Sequence, residues 1–178
     1  MTGQKGFDFS LPAIAKVLSE KVQFAILGSG ERWIVEEIDR LSEMNSEKLQ
    51  FYDGYNEALA HRIEAGSDFF LMPSLYEPCG LNQMYSLRYG TLPIVRSVGG
   101  LRDTVWEKDT LGEDGTGFVE PNADDTLAAI KRGIDCFTND PASFQNRMHL
   151  GMRQRFSWEN TATQYEHIYT EALKNPIN

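Results

Sequence analysis

The chain is poor in cysteine and has no long apolar run. Its two cysteines, Cys79 and Cys136, are too few for a disulfide scaffold and lack the spacing of metal ligands. No apolar stretch approaches the roughly 20 residues that span a bilayer, and the N-terminal segment MTGQKGFDFS lacks the apolar centre of a signal peptide. We therefore expect a reducing compartment, with the cytoplasm as the location.

Positive charge is also scarce. The 178 residues include 17 Lys and Arg against 26 Asp and Glu, which gives a net charge of −9. Nucleic acids and anionic membranes are bound through many cations, so neither is expected as a partner. A small phosphorylated ligand in a local pocket is still compatible with this balance. The hydrophobic content of 41% is ordinary for one folded domain.

Apolar runs typical of buried strands alternate with amphipathic stretches typical of helices. Strands are predicted at 22–28, 48–54, 68–74 and 92–97, and helices at 12–20, 32–44, 56–66, 80–90, 124–137, 141–153 and 158–174. Such alternation predicts an α/β fold, a Rossmann-like parallel sheet with helices on both faces, in a single domain over 1–178. The acidic, glycine-rich segment 107–118 is predicted to be an exposed loop. Ser157 and Asn139 are the predicted helix caps.

The beginning of the chain does not match this fold class. A doubly wound sheet normally opens with a strand, yet no convincing strand precedes the helix at 12–20. Either the fold starts unusually, or the sequence is part of a longer protein that was divided inside the first strand.

Three glycine-bearing corners are predicted at the carboxyl ends of strands, where ligands bind in open α/β sheets. They are Gly28-Ser29-Gly30, Gly80 and Gly99-Gly100. The first lacks a full dinucleotide fingerprint because Trp33 stands where the last glycine would be, so a nicotinamide enzyme is poorly supported. On its own this corner is better explained as a turn. Gly80 is the stronger candidate, because the N–H groups of Gly80-Leu81-Asn82 would open a helix and attract phosphate.

For several other side chains, the spacing in the sequence is compatible with two different roles. Lys5 could meet a phosphate at the first corner or be an ordinary solvated lysine. Cys79 could be a nucleophile activated by the helix start or a small buried residue. Tyr55 could stack on a flat ring or serve packing. His61, His149 and His167 lie in helical stretches and are expected to pack or face solvent.

A longer pattern is more specific than any of these residues. The stretch PSLYEPCGLNQMYSLRYGTLPIVRSVGGLRDTV (73–105) resembles the signature of bacterial glycogen synthases and plant starch synthases. QKGFD near the start, GYNEALAHRIEAGSDFFLMPS and FSWENTATQYEHIY resemble other segments of the same enzymes. The resemblance covers essentially the whole chain. These retaining glycosyltransferases have two Rossmann-like domains facing a cleft, the GT-B arrangement.

The resemblance implies that 1–178 is the C-terminal, nucleotide-sugar-binding domain, and that the N-terminal acceptor domain lies outside this sequence. It implies a catalytic role for Glu77 at the donor sugar, and a diphosphate contact for Lys5. Implied nucleotide-sugar-binding residues are Lys5, Gly28, Tyr55, Cys79, Gly80, Leu81 and Asn82. Among these, Tyr55 would stack on adenine and Cys79 would be structural. Tyr85 stands where many relatives in the wider superfamily carry a second glutamate that holds the ribose.

By the same resemblance, the parent enzyme would transfer glucose from ADP-glucose, or UDP-glucose, to the non-reducing end of an α-1,4-glucan with retention. The partners would be that donor, that acceptor and the N-terminal domain. No metal and no cofactor are expected, and a plant enzyme would be located in the plastid. Two alternatives remain: an isolated nucleotide-binding module without transferase activity, and a nicotinamide-dependent oxidoreductase.

Overall fold

The computed structural model describes residues 1–108, 113–120 and 125–174. A short 3-10 helix at Gly3–Lys5 precedes the first α-helix. Five strands are described: β1 (Phe24–Gly28), β2 (Leu49–Asp53), β3 (Phe69–Met72), β4 (Leu92–Arg96) and β5 (Phe118–Glu120). Eight α-helices are described: α1 (Phe7–Val17), α2 (Arg32–Met44), α3 (Glu57–Gly66), α4 (Asn82–Tyr89), α5 (Gly99–Thr104), α6 (Thr126–Asn139), α7 (Pro141–Arg153) and α8 (Trp158–Lys174).

All strand pairs among the described residues are parallel, as the alternation of strands and helices predicts. They form two groups, β1–β2 and β3–β4–β5. Phe24 is paired with Leu49 in the first group, and Phe69 with Leu92 in the second. In a doubly wound sheet of order 3-2-1-4-5-6, a first strand lies between the strands that correspond here to β1 and β3. The described residues supply no strand at that place.

Helices cover both faces of the second strand group. Leu92 and Ile94 of β4 pack with Ala129 and Ile130 of α6, and Phe144 of α7 joins the same cluster. Val95 points the other way and packs with Leu87 of α4 and Leu101 of α5. This division follows from the period of two along a strand. The predicted α/β architecture is confirmed.

Helix α1 joins the two strand groups. Its residues Leu11, Ile14 and Leu18 (Leu18 is the C-cap) pack with α2 and with Leu49 of β2. Ala13 and Val17 pack instead with the cluster around β4 and α6. Phe24 and Leu71 touch both clusters, so the core continues across the space between β1 and β3.

Several predicted elements differ from the structure. α1 begins at Phe7, and Pro12 lies inside the helix instead of at its start. α5 and β5 were not predicted; β5 begins at Phe118, inside the segment predicted to be a loop. Residues 109–112 of that loop, and residue 124 of the helix predicted at 124–137, lie outside the described residues.

The predicted cap Asn139 is wrong. α7 is capped by Asp140, whose carboxylate accepts a hydrogen bond from the Ser143 N–H at 3.1 Å. Asn139 is the last residue of α6, and its amide donates to Asp135 in the same helix. The next helix starts with Pro141, which fits the first helical position.

The last helix lies apart from the core. Every described side chain of α8 is exposed, including the apolar residues Trp158, Tyr165, Ile168, Tyr169 and Leu173. Along the described chain, no helix is both long and apolar enough to cross a membrane.

Candidate functional site

The loop that follows β3 is held in place by its backbone. The Gly100 N–H donates to the Glu77 carbonyl at 3.0 Å. A Cβ on Gly100 would lie 1.9 Å from the Cys79 carbonyl oxygen, so only glycine allows α5 to approach this loop so closely. The predicted corner Gly99-Gly100 therefore serves to fix the loop that carries Glu77.

Gln83, in the first turn of α4, stabilises the same loop through hydrogen bonds. Its fully buried side-chain amide donates to the carbonyls of Cys79 at 3.2 Å and Gly80 at 3.0 Å, and to the Thr104 hydroxyl at 3.1 Å. The Thr104 hydroxyl donates in turn to the Gly100 carbonyl at 2.6 Å. Sequence reasoning missed Gln83, because a glutamine in the first turn of a helix is ordinarily exposed.

The start of α4 presents free backbone groups. Gly80 has a φ of +73°, a left-handed conformation that favours glycine, and Leu81 occupies the position before the helix. No side chain caps this end of α4. The first N–H groups of a helix lack partners within the helix, and the helix dipole favours an anion there. This geometry could receive an anion, and the anion site at Gly80-Leu81-Asn82 stays a prediction.

The N-terminal segment brings a cation to this loop. The Leu75 N–H donates to the Gln4 carbonyl at 2.9 Å, and the Gln4 side-chain amide donates to the Tyr76 carbonyl at 3.2 Å. These two bonds join residues 71 and 72 positions apart in the chain, and Lys5 follows Gln4 directly. Its ammonium group donates to Oε2 of Glu77 at 2.5 Å.

Glu77 is more enclosed than its partner. The Glu77 side chain is 12% exposed and the Lys5 side chain 47%. The hydroxyl of Ser74, a residue only 1% exposed, donates to the same carboxylate oxygen at 3.3 Å. Lys5 of the N-terminal segment thus pairs with Glu77 of the loop that leads into the uncapped start of α4. Such a set can separate charge, because it offers positive groups to a phosphate and a negative group to an adjoining cationic centre.

The remaining predicted residues have no described contact to Lys5 or Glu77. Tyr55 is 84% exposed just before Asn56, which caps α3. Gly28 ends β1, and the chain beside it is covered by Met1, whose amino group donates to the Ser29 carbonyl. Asn82 is the first, exposed residue of α4.

Cys79 and Tyr85 complete the predicted set. Cys79 is a free, exposed thiol, so the alternative of a small buried residue is wrong. Its described hydrogen bond goes to the Gly80 carbonyl and not to a base that could activate it. Tyr85 lies in α4 with its ring 6.1 Å from that of His61. In the part of the chain that the structure describes, no group of three or more His, Cys, Asp or Glu side chains could hold a metal ion.

Comparison with known proteins identifies the family. The family model described as "Glycosyl transferases group 1" matches residues 1–155. The chain belongs to the group 1 glycosyl transferases. Within that family it is 47% identical over 175 residues to a glycogen synthase of Aeromonas hydrophila, and 46% identical over 173 residues to one of Cellvibrio japonicus. The alignment with the first covers 97% of this chain, and the chain spans 36% of that relative's length.

Comparison with solved structures of glycosyl transferases supports the same assignment. The catalytic domain of starch synthase IV from Arabidopsis thaliana, bound to ADP and acarbose, superposes with a TM-score of 0.85 at 34% identity. The match covers 98% of this chain and 37% of that one. A sucrose-phosphate synthase from Thermosynechococcus elongatus, at 23% identity and a TM-score of 0.69, supports the fold alone. The resemblance to glycogen and starch synthases is confirmed, as is the Rossmann-like fold of a GT-B transferase.

Proposed function

We propose that residues 1–178 are the nucleotide-sugar-binding domain of a glycogen or starch synthase-type transferase. The parent enzyme transfers glucose from ADP-glucose, with UDP-glucose as the alternative donor, to the non-reducing end of an α-1,4-glucan with retention. The relatives named glycogen synthase and the starch synthase bound to ADP support this assignment. The observation that carries it for this chain is the uncapped start of α4 beside the Lys5–Glu77 pair.

In this scheme Lys5 and the N–H groups at Gly80 and Leu81 hold the donor diphosphate. Glu77 faces the glucose. As the bond from the sugar to the diphosphate breaks, negative charge grows on the phosphate and positive charge grows on the sugar ring. Positive groups on one side and a carboxylate on the other stabilise that separation, and only stabilisation specific to the transition state accelerates the step.

The other residues complete the donor site. Tyr55 is assigned to stacking on the adenine ring, for which its exposed face is available. Gly28, Cys79 and Asn82 are assigned to the surroundings of the nucleotide sugar. The partners are the donor, the glucan acceptor and an N-terminal domain of the same enzyme, in the cytoplasm or, for a plant enzyme, the plastid.

Calorimetric titration of the chain with ADP tests the binding role. We expect ADP to bind, and Lys5→Ala to weaken binding about tenfold to a hundredfold, because a charge-assisted contact to phosphate is lost. Lys16→Ala, which removes an exposed lysine of α1, is the matched control and should leave the affinity unchanged. Equal affinities for wild type and Lys5→Ala would contradict the assignment of Lys5. Binding of NADH in preference to ADP would favour the oxidoreductase.

A transfer assay with ADP-glucose and an α-1,4-glucan primer separates the enzyme from the second candidate. That candidate is a nucleotide-binding module without transferase activity of its own. The chain spans about a third of the length of the relatives that it matches. Binding of ADP without glucosyl transfer would favour the module for this chain taken alone.

A further inference from the structure

The carboxylate of Glu77 has two described hydrogen-bond partners, which differ in exposure. Lys5 is half exposed on a long flexible stem, whereas Ser74 is buried in the loop after β3. Both donate to the same oxygen, Oε2, at 2.5 Å and 3.3 Å. One partner is therefore free to move and the other is fixed.

An incoming diphosphate competes for the mobile partner. It carries more negative charge than one carboxylate, and the uncapped start of α4 would draw it to the same loop. Lys5 cannot neutralise Glu77 and the diphosphate to the full extent at once. The ion pair of the free protein thus opposes binding until Lys5 turns to the phosphate.

Glu77 cannot follow Lys5. Its carbonyl accepts the Gly100 N–H, and its side chain is only 12% exposed. When Lys5 leaves, the enclosed carboxylate loses its ion-pair partner and keeps the Ser74 hydroxyl. An enclosed charge without a hydrogen bond is costly, so this contact matters more in the bound state than in the free state.

We propose that Ser74 is a positioning residue for Glu77: nucleotide binding exchanges the Lys5–Glu77 pair for a Lys5–diphosphate pair, and Ser74 then holds the carboxylate in place. The proposal rests on the function assigned above, since it requires a diphosphate at Lys5. It gives the loop a defined order of events, in which the cation moves and the carboxylate stays.

The first test is a double-mutant cycle of ADP affinity on the 178-residue chain. Glu77→Gln should tighten ADP binding about threefold to tenfold, because Lys5 is no longer neutralised. In a Lys5→Ala background the same change should alter affinity less than about twofold. An equal gain in both backgrounds would mean direct repulsion between Glu77 and the phosphate, and would overturn the exchange. Asp8→Asn removes a nearby carboxylate that forms no described ion pair with Lys5, and should leave affinity unchanged.

The second cycle tests Ser74. Ser74→Ala should weaken ADP binding about twofold to fivefold in the wild-type background and have no effect in the Glu77→Gln background. Equal weakening in both backgrounds would give Ser74 a purely structural role and overturn the proposal. Ser74→Cys leaves no cavity but donates only weakly, so it should behave as Ser74→Ala does and separates loss of the hydrogen bond from loss of packing.

The outcomes distinguish this proposal from the assigned function. If wild type fails to bind ADP, the assigned function fails. If wild type binds ADP, Lys5→Ala weakens binding and neither cycle shows coupling, the nucleotide site stands and the exchange fails.

Discussion

At the scale of the residue, carboxylates in this protein lie in contrasting surroundings. Burial in α3 raises the pKa of Glu64, and the nearby His61 offsets this only partly. Burial acts in the same direction on Glu107, but hydrogen bonds from Arg132 and the Val119 N–H, together with the charges of Arg132 and Arg147, hold the pKa of Glu107 below its usual range. Protonation therefore has opposite consequences for the stability of the fold at these two residues.

The raised pKa of Glu64 predicts that the contribution of this group to the stability of the fold falls as pH rises. Because its pKa is raised in the folded protein, the native state binds the proton more tightly than the unfolded state. This contribution is present below the ordinary glutamate pKa of about 4.3 and is lost as pH rises through the folded value. Glu64→Gln should therefore raise the unfolding temperature at pH 8 by a few degrees, at about 2–4 °C per kcal/mol.

Thermal unfolding followed by circular dichroism at pH 4 and pH 8 measures the unfolding temperatures of the wild type and Glu64→Gln. The increase caused by the substitution should be smaller at pH 4 than at pH 8. Glu57→Gln, in the exposed first turn of the same helix, should give no gain, because a carboxylate there is favoured by the helix dipole. A gain from Glu64→Gln that was equal at both pH values would contradict the assigned cause.

Single residues also show which parts of the candidate site can be predicted from the sequence. The family pattern singled out Glu77 and Lys5, and the structure brings them together. Spacing alone would have left Lys5 as a solvated lysine, because its contact depends on a residue 72 positions away. The contribution of Gln83 could not be foreseen, since it depends on the approach of α5 to the loop.

At the scale of the element, α7 is fastened to β5 and the loop before it by one buried arginine. Arg147 is 5% exposed and donates to the carbonyls of Glu107 at 2.8 Å and Gly117 at 3.0 Å. It also pairs with Asp114 at 3.0 Å, and its guanidinium lies 4.9 Å from the centre of the Phe118 ring. A planar group with several donors is needed for this geometry.

Replacement of Arg147 should therefore be costly even when the charge is kept. Arg147→Lys should lower the free energy of unfolding by about 1–3 kcal/mol, because buried carbonyl groups lose their donors. Urea unfolding measures the change. Arg153→Lys, an exposed position at the end of the same helix, is the control and should change it by less than about 0.5 kcal/mol. Similar values for the two variants would contradict the fastening role.

The sequence predicts long elements better than short ones. Long amphipathic helices such as α2 and α7 agree with their periodic patterns to the residue. The helix predicted at 12–20 spans Phe7–Val17 in the structure, and the residues before Pro12 include Ser10 and Leu11, which are both buried. β5 has three residues, too few for a period of two to be recognised.

At the scale of the whole molecule, α8 stands apart from the folded body. Its described side chains are all exposed, and five large apolar residues lie along it. A helix that buries no apolar surface adds little to the stability of the rest.

Shortening the chain to residues 1–157 should therefore leave the unfolding temperature within about 2 °C of that of the full chain. Within the full chain, Ile168→Ala in α8 should cost less than about 0.5 kcal/mol, whereas Ile14→Ala in α1 should cost about 2–5 kcal/mol. Calorimetry measures the unfolding temperature of the shortened chain, and urea titration measures the free energies of unfolding of the two variants. A drop of more than about 4 °C on shortening, or equal costs at the two isoleucines, would show that α8 supports the core.

The position of α1 has a consequence for how this protein tolerates change. The helix follows Lys5 after a single glycine, and it also packs on both strand groups. A slight repacking deep in the interior would therefore shift the ammonium group on the surface. Interior exchanges that keep the volume, unlike Ile14→Ala, should therefore alter ligand preference before they lower the unfolding temperature.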